Sequence, residues 1–125
     1  MRKNISTNTP SERRVGYSRA VRLANRLFIT GTTAQDVSGK TVGKNLYDQA
    51  RYIFELIKSV LESENFSLND VVSLTVYLTD KSMLPEFDKA FKEYFYDIKP
   101  TCTLVGISWL VKDDLLIEVE TLAEK

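Results

Sequence analysis

The stretch VVSLTVYLT, from Val71 to Thr79, does most to decide the fold. Its β-branched residues and its period of two are typical of a strand at the centre of a sheet. The residues predicted to share the face toward the core are Val72, Leu74, Val76 and Leu78. Those predicted on the opposite face are Val71, Thr75 and Tyr77. This pattern therefore predicts a sheet with one face buried against other elements. What covers the opposite face must be explained separately.

Two segments with helical periodicity flank this strand. The first follows the loop at 31–44 and ends near Glu64 and Asn65, and the second begins around Pro85, because proline is tolerated in a first turn. The apolar stripe of the first helix consists of Leu46, Ala50, Ile53, Ile57 and Val60 or Leu61. The stripe of the second consists of Leu84, Phe87, Phe91 and Tyr94 or Phe95. Each stripe lies on one side of its helix, which predicts that both helices pack on the sheet.

Further strands are predicted at both ends of the chain. Residues 21–24 and 27–30 form short apolar runs about a tight turn, which indicates a hairpin. The loop that follows contains a turn at Ser38 and Gly39. Residues 101–107 and 115–122 are predicted as the closing strands, separated by a turn at 112–114. Residues 1–20 have few periodic apolar positions, so the order begins with the hairpin.

This order of elements predicts one α+β domain over residues 1–125, with one sheet and two helices on a single face. No internal repeat or low-complexity linker divides it. The uncovered face would expose partly apolar strand residues, which favours a subunit interface. The alternative is an amphipathic sheet with one hydrated face.

Composition excludes several kinds of site. The chain has no histidine, which removes Ser-His-Asp and Cys-His nucleophile systems and histidine metal sites. Cys102 is the single cysteine, so no intramolecular disulfide can form and a reducing compartment fits. No apolar run has the length of a signal peptide or membrane span. We therefore expect a cytoplasmic protein with no metal, no other cofactor and no membrane contact.

Charge is balanced overall but uneven along the chain. The net charge is zero, whereas the first 26 residues carry +6 and the remainder −6. We interpret the basic start as a hydrated edge that complements acidic surface on the same or a neighbouring chain. An anion-binding face is the alternative.

Several motifs in order resemble those of the Rid family of small trimeric proteins, also called the YjgF or L-PSP family. They are GYSRA at 16–20, LFITG at 27–31, the helix around Gln49, DVV at 70–72 leading into YLTD at 77–80, Phe87 to Phe95, Pro100, and IEVE at 117–120. The resemblance covers almost the whole chain. It implies a chorismate-mutase-like fold and a homotrimer whose sheets form an inner barrel, with one pocket at each subunit interface.

At three positions the chain differs from the deaminases of the family. Deaminases of this family, which hydrolyse enamines and imines derived from amino acids, carry an arginine two positions after the proline to hold the substrate carboxylate. A planar guanidinium suits that task and a thiol does not. Here the position is Cys102, which we predict to be a small apolar filler. Leu104 replaces a frequent cysteine, and Asp88 replaces an asparagine.

Other residues at the family's pocket positions retain useful groups. By the resemblance, Tyr17 and Thr30 offer hydroxyls, Gly31 permits close backbone approach, and Glu120 could orient a hydrolytic water. Tyr17 could equally cap a subunit contact, Thr30 could be an ordinary strand residue, and Glu120 could face solvent. Arg19, two residues after Tyr17, is the nearest candidate for a replacement cation.

Three functions follow from these residues. The first is a Rid-like homotrimer with a pocket for a small metabolite at its subunit interfaces and weak or absent 2-imino acid deaminase activity. The second is an active enamine or imine deaminase, a hydrolase, that uses Arg19, Tyr17 and Glu120. The third is an RNA-directed translation inhibitor or ribonuclease, which ranks last because the chain has no aromatic-basic RNA motif.

Overall fold

A six-stranded sheet organises the chain, and the computed structural model describes all of it, residues 1–125. The strands are β1 (Arg2–Ile5), β2 (Ala20–Leu23), β3 (Arg26–Thr33), β4 (Val71–Leu78), β5 (Thr101–Gly106) and β6 (Ile117–Glu124). The helices are α1 (Pro10–Val15), α2 (Leu46–Ser63) and α3 (Leu84–Phe95). The strand order is β1-β2-β3-β6-β4-β5. The observed class is α+β, as predicted.

The core lies between one face of the sheet and the two long helices. The α2 helix begins after Asn45, whose side chain accepts a hydrogen bond from the Asp48 amide. Its buried side chains are Leu46, Gln49, Ala50, Ile53, Phe54, Ile57, Val60 and Leu61. The α3 helix carries Pro85 in its first turn and buries Phe87, Ala90 and Phe95. Both predicted helices are confirmed, because a stripe at helical spacing is a local property of the sequence.

The two closing strands are found nearly where they were predicted, but they are not neighbours. β4 lies between them, antiparallel to β6 and parallel to β5. A parallel pair needs a long crossover, and α3 supplies it between β4 and β5. β5 is consequently the edge strand at this end of the sheet.

The prediction for the first two residues of β4 was wrong. Val71 is buried and Val72 is 45% exposed, the reverse of the predicted arrangement. The register between β4 and β6 shifts between Val71 and Ser73, because a bulge inserts one extra residue there. From Leu74 onward the predicted alternation holds, with Leu74, Val76 and Leu78 buried.

The first 20 residues contain two elements that the sequence did not predict. β1 buries little of its surface, so it lacks the apolar alternation by which a strand is recognised. The short helix α1 begins after Thr9, whose hydroxyl accepts from the Glu12 amide, and ends at Gly16 with a φ of 97°. Its buried side chain is Glu12, a charged residue, so apolar periodicity could not reveal it.

The face of the sheet opposite the helices is uncovered in the single chain. Phe28, Val72 and Val105 are among its exposed apolar residues. None of the helices combines the length and apolar character that crossing a bilayer requires.

Candidate functional site

A groove of about 470 Å³ crosses the uncovered face of the sheet. Strand register explains it, because Asn4, Val21, Phe28 and Leu122 are successive partners across β1, β2, β3 and β6 and therefore share this face. Tyr17, Thr30 and Glu120 line the groove. The structure thus brings together three of the predicted site residues.

A side chain on the neighbouring strand β4 positions the Glu120 carboxylate. The Tyr77 hydroxyl donates a short hydrogen bond to Oε1 of Glu120. This bond raises the pKa of Tyr77, and burial and the nearby Glu118 raise it further. The hydroxyl therefore remains a donor at neutral pH, and it leaves the second carboxylate oxygen of Glu120 available to a ligand or water.

Gly31 lies against a second carboxylate, that of Glu118. A methyl group at Gly31 would overlap the Glu118 side chain, so this position requires glycine for close approach. Burial raises the pKa of Glu118, Glu120 raises it further, and Arg19 partly opposes the rise. Glu118 was not among the predicted residues. The alternation in residues 117–120 was the signal that could have found it, because Glu118 and Glu120 lie two apart on one strand face.

Arg19 is already occupied by an ion pair. Its Nη2 lies 3.3 Å from Oε2 of Glu12, and its side chain is only 15% exposed. The same Glu12 carboxylate accepts from the hydroxyls of Ser6, Thr7 and Thr9 and from the Thr7 amide. Arg19 therefore holds the N-terminal segment together rather than lining the groove.

The remaining predicted residues lie elsewhere on the chain. Cys102 and Leu104 are register partners of Leu74 and Val76, whose side chains are buried under the helices, so both point to the helix side of the sheet. Asp88 is exposed on α3. Within one chain, these three residues do not face the groove that contains Tyr17, Thr30 and Glu120.

We predict that Cys102 is a slow nucleophile. In the single chain Cys102 is exposed on the edge strand, so it does not fill a gap in the core as predicted. Partial burial of its thiol still raises its pKa, which lowers the thiolate fraction at neutral pH. Alkylation by iodoacetamide at pH 7, followed by mass spectrometry, should therefore label Cys102 more slowly than free glutathione. Labelling faster than glutathione would contradict this expectation and indicate an activated thiol.

Further groove residues were not singled out from the sequence. They are Arg2, Asn4, Ser18, Phe28, Ser73 and Thr75. Arg2 and Asn4 belong to β1, which the sequence did not predict. Ser73 and Thr75 are ordinary strand residues whose role depends on which face of the sheet is left open.

Comparison with known proteins agrees with this architecture. The α+β sheet with helices on one face matches the structure of Rv2704 from Mycobacterium tuberculosis, a member of the YjgF/YER057c/UK114 family, with a TM-score of 0.91, 30% identity and full coverage of both chains. The sequence profile of the family described as Endoribonuclease L-PSP matches residues 7–125. The chain therefore belongs to the L-PSP family, also called the YjgF or Rid family.

Two relatives of different sequence identity to this chain illustrate the range of the family. A RutC family protein from Pyrococcus horikoshii is 41% identical over 110 residues, covering 87% of this chain and 86% of that protein. A 2-iminobutanoate/2-iminopropanoate deaminase from Dermatophagoides farinae is 26% identical over 107 residues, covering 85% of this chain and 83% of that protein.

Proposed function

We propose that the protein is a cytoplasmic Rid-like homotrimer that binds a small metabolite in pockets between its subunits, and that its 2-imino acid deaminase activity is weak or absent. The observation that carries this proposal is the absence of a free guanidinium at both expected positions. Cys102 occupies the position of the deaminase arginine, and Arg19 is paired with Glu12. Cys102 carries no cation, and the charge of Arg19 is already balanced by Glu12, so neither position offers a free guanidinium for a substrate carboxylate.

The separation of the site residues supports a pocket built from two chains. Family resemblance assigns Tyr17, Thr30, Glu120, Cys102 and Leu104 to one pocket. In one chain the first three line the uncovered face and the last two point to the helix side. A second copy that brings its β5 edge to this face would unite the two sets, and the exposed apolar residues of the uncovered face would be buried by the same contact.

The charge of the groove gains importance because the arginine is missing. Glu120 lines the groove and Glu118 lies beside Gly31, and both belong to the family motif at 117–120, so the carboxylates themselves do not distinguish this chain from the deaminases. Cys102 supplies no cation to offset them, and an anion without a specific anchor would be repelled there. A neutral ligand, or an anion with its own specific anchor, fits this arrangement better.

The RNA-directed alternative has little support from the basic N-terminal region. Lys3 and Arg22 pair with Glu64, and Arg26 pairs with Glu124. These cations therefore complement acidic surface of the same chain, in line with the first interpretation of the sequence. They do not form an unpaired stripe of the kind that tracks a phosphate backbone.

A competition assay tests the proposed loss of deaminase activity. Threonine dehydratase releases an enamine and imine that semicarbazide traps, and an active deaminase competes for them. We expect the wild type to leave the trapping rate within about twofold of the rate without added protein. We expect Cys102→Arg to compete roughly tenfold better than the wild type, because it supplies a charge-assisted bidentate contact.

Cys102→Ala is the matched control, since it changes the same position without adding a cation. It should behave like the wild type. Fast competition by the wild type would overturn the proposal and favour the active deaminase. Sedimentation analysis of the same samples checks the trimer, and a monomer at assay concentrations would contradict the interface pocket.

A further inference from the structure

The loop between β5 and β6 presents an exposed apolar segment, Trp109–Val111. In the single chain Trp109 is 76% exposed and Val111 is 72% exposed. Large apolar side chains that are exposed together mark interaction surfaces, and tryptophan is among the residues most enriched at the energetic centres of interfaces. Trp109 is also the single tryptophan of the chain, so its surroundings can be measured without interference from another indole.

Hydrogen bonds fix both ends of this loop to the body of the protein. The Ile107 amide donates to the Leu78 carbonyl at 2.9 Å. On the other side, Nζ of Lys112 donates to the Gly39 carbonyl at 2.9 Å. Trp109 is therefore presented from a fixed base. A side chain presented in this way loses less conformational entropy when it binds.

The Trp109–Val111 segment continues the uncovered face at the β5 end of the sheet. Val105 is the register partner of Tyr77 and is exposed on that face. Phe28 is exposed on the same face, but β6 and β4 lie between its strand and β5. Because the two apolar surfaces lie far apart on one chain, a contact between them must join two copies. A repeated head-to-tail contact of this kind generates a ring when the rotation between copies closes.

The charges beside these two surfaces are complementary. Asp113 and Asp114 are exposed directly after the Trp109–Val111 segment. Arg13 and Arg14 are exposed on α1, which leads into the Tyr17 side of the groove, and neither forms an ion pair. Opposite charges of this kind favour one relative orientation of two molecules. Since both complementary surfaces belong to this chain, the partner that fits is a second copy.

We propose that the Trp109–Val111 segment of one copy packs on the uncovered sheet face of the next, with Trp109 as the main apolar anchor of the assembly. The inference rests on the proposed function, because the contact lies at the interface proposed there. It goes beyond that proposal by naming the side chain whose burial holds the copies together. It also assigns a role to an exposed tryptophan that the single chain leaves without one.

Tryptophan fluorescence tests the inference on the whole protein. We expect the assembled wild type to emit at shorter wavelength than N-acetyltryptophanamide and to be quenched several-fold more weakly by acrylamide. Dilution to the monomer should bring both values close to those of the free compound. Trp109→Ala should raise the concentration at which the copies separate roughly tenfold or more, as measured by sedimentation.

Phe28→Ser tests which surface receives the tryptophan. Phe28 and Trp109 are too far apart within one chain for the substitution to change the indole environment directly. A shift of the Trp109 emission to longer wavelength, with an unchanged circular dichroism spectrum, is therefore expected to arise between copies. An unchanged emission in Phe28→Ser would contradict docking on the uncovered face.

Tyr96→Ala is the matched control for loss of an exposed aromatic side chain. Tyr96 is 62% exposed and follows α3, on the helix side of the sheet. This variant should assemble like the wild type and leave the Trp109 emission unchanged. If Trp109→Ala assembled as tightly as Tyr96→Ala, the inference would be wrong.

Sedimentation and quenching together separate this inference from the proposed function. A wild-type trimer whose Trp109 is quenched as fully as the free compound would leave the trimer standing and overturn the inference. A wild type that stays monomeric at every concentration would overturn both. Fast competition in the semicarbazide assay by a trimer with a protected Trp109 would overturn the proposed loss of activity and support the contact.

Discussion

Glu12→Gln is expected to lower the free energy of unfolding at pH 7 by about 3 kcal/mol. Burial alone would raise the pKa of Glu12, but hydrogen bonds from Thr7, Ser6 and Thr9 outweigh it and lower the pKa to about 2. The ordinary value is 4.5, so the folded state binds the ionised carboxylate much more strongly than the protonated one. Glutamine resembles the protonated form and also leaves Arg19 without its counter-ion. Urea unfolding followed by circular dichroism measures the loss.

The effect should depend on pH in a defined direction. Because the folded-state pKa is depressed, the stabilisation is fully present above about pH 4.5 and is lost as pH falls toward 2. The stability difference between the wild type and Glu12→Gln should therefore shrink by more than half between pH 7 and pH 3. The stability of the variant is subtracted from that of the wild type at each pH, because Asp36, Glu64 and Asp80 also have lowered pKa values and affect both proteins alike.

Glu62→Gln provides the control for charge removal. Glu62 is exposed near the end of α2 and forms no ion pair. Its replacement should change stability by less than about 0.5 kcal/mol at either pH. A Glu12→Gln difference that stayed constant from pH 7 to pH 3 would contradict the assigned role of the ionised carboxylate.

Gln49→Leu is expected to lower the free energy of unfolding by about 4 kcal/mol, at least as much as Glu12→Gln. The Gln49 side chain is fully buried. Its Nε2 donates to the carbonyls of Gly43 and Asp114, at 3.1 and 2.9 Å, and its Oε1 accepts from the Leu116 amide at 2.9 Å. One side chain therefore joins the loop before α2 to the segment that enters β6. Leucine has similar volume but leaves three main-chain groups without partners.

Gln35→Leu is the matched control, since it is the same substitution in a loop. Gln35 is half-buried, and its side-chain amide makes one hydrogen bond, to the Thr33 hydroxyl. Its replacement should lower the free energy of unfolding by no more than about 1.5 kcal/mol. Hydrogen exchange adds a local measurement, because the Leu116 amide should exchange faster in Gln49→Leu. Equal losses for the two variants, with unchanged Leu116 exchange, would show that Gln49 does not connect these segments.

Part of the candidate site could be predicted because the motifs of the chain match those of a known family. Tyr17, Thr30 and Glu120 were expected to contribute to one pocket, and they line one groove. Arg19 was proposed as a free cation, but its partner Glu12 sits in a short helix with no apolar signature. Arg2 could not be selected, because its position in the groove depends on the pairing of β1 with β2.

The family, the two long helices and the central strand can all be recognised from the amino-acid sequence. These features depend on ordered motifs and on periodicities of two and about 3.6 residues, which are visible in a single segment. The sequence also excluded histidine chemistry and the family's usual arginine at Cys102. Three features became visible only in the folded chain: a bulge turns Val72 outward, Glu12 forms an ion pair with Arg19, and Arg2 lines the groove. Strand register and ion pairing are set between segments that are distant in sequence, so whether a side chain is paired within the chain or lines the groove depends on which strand lies beside it.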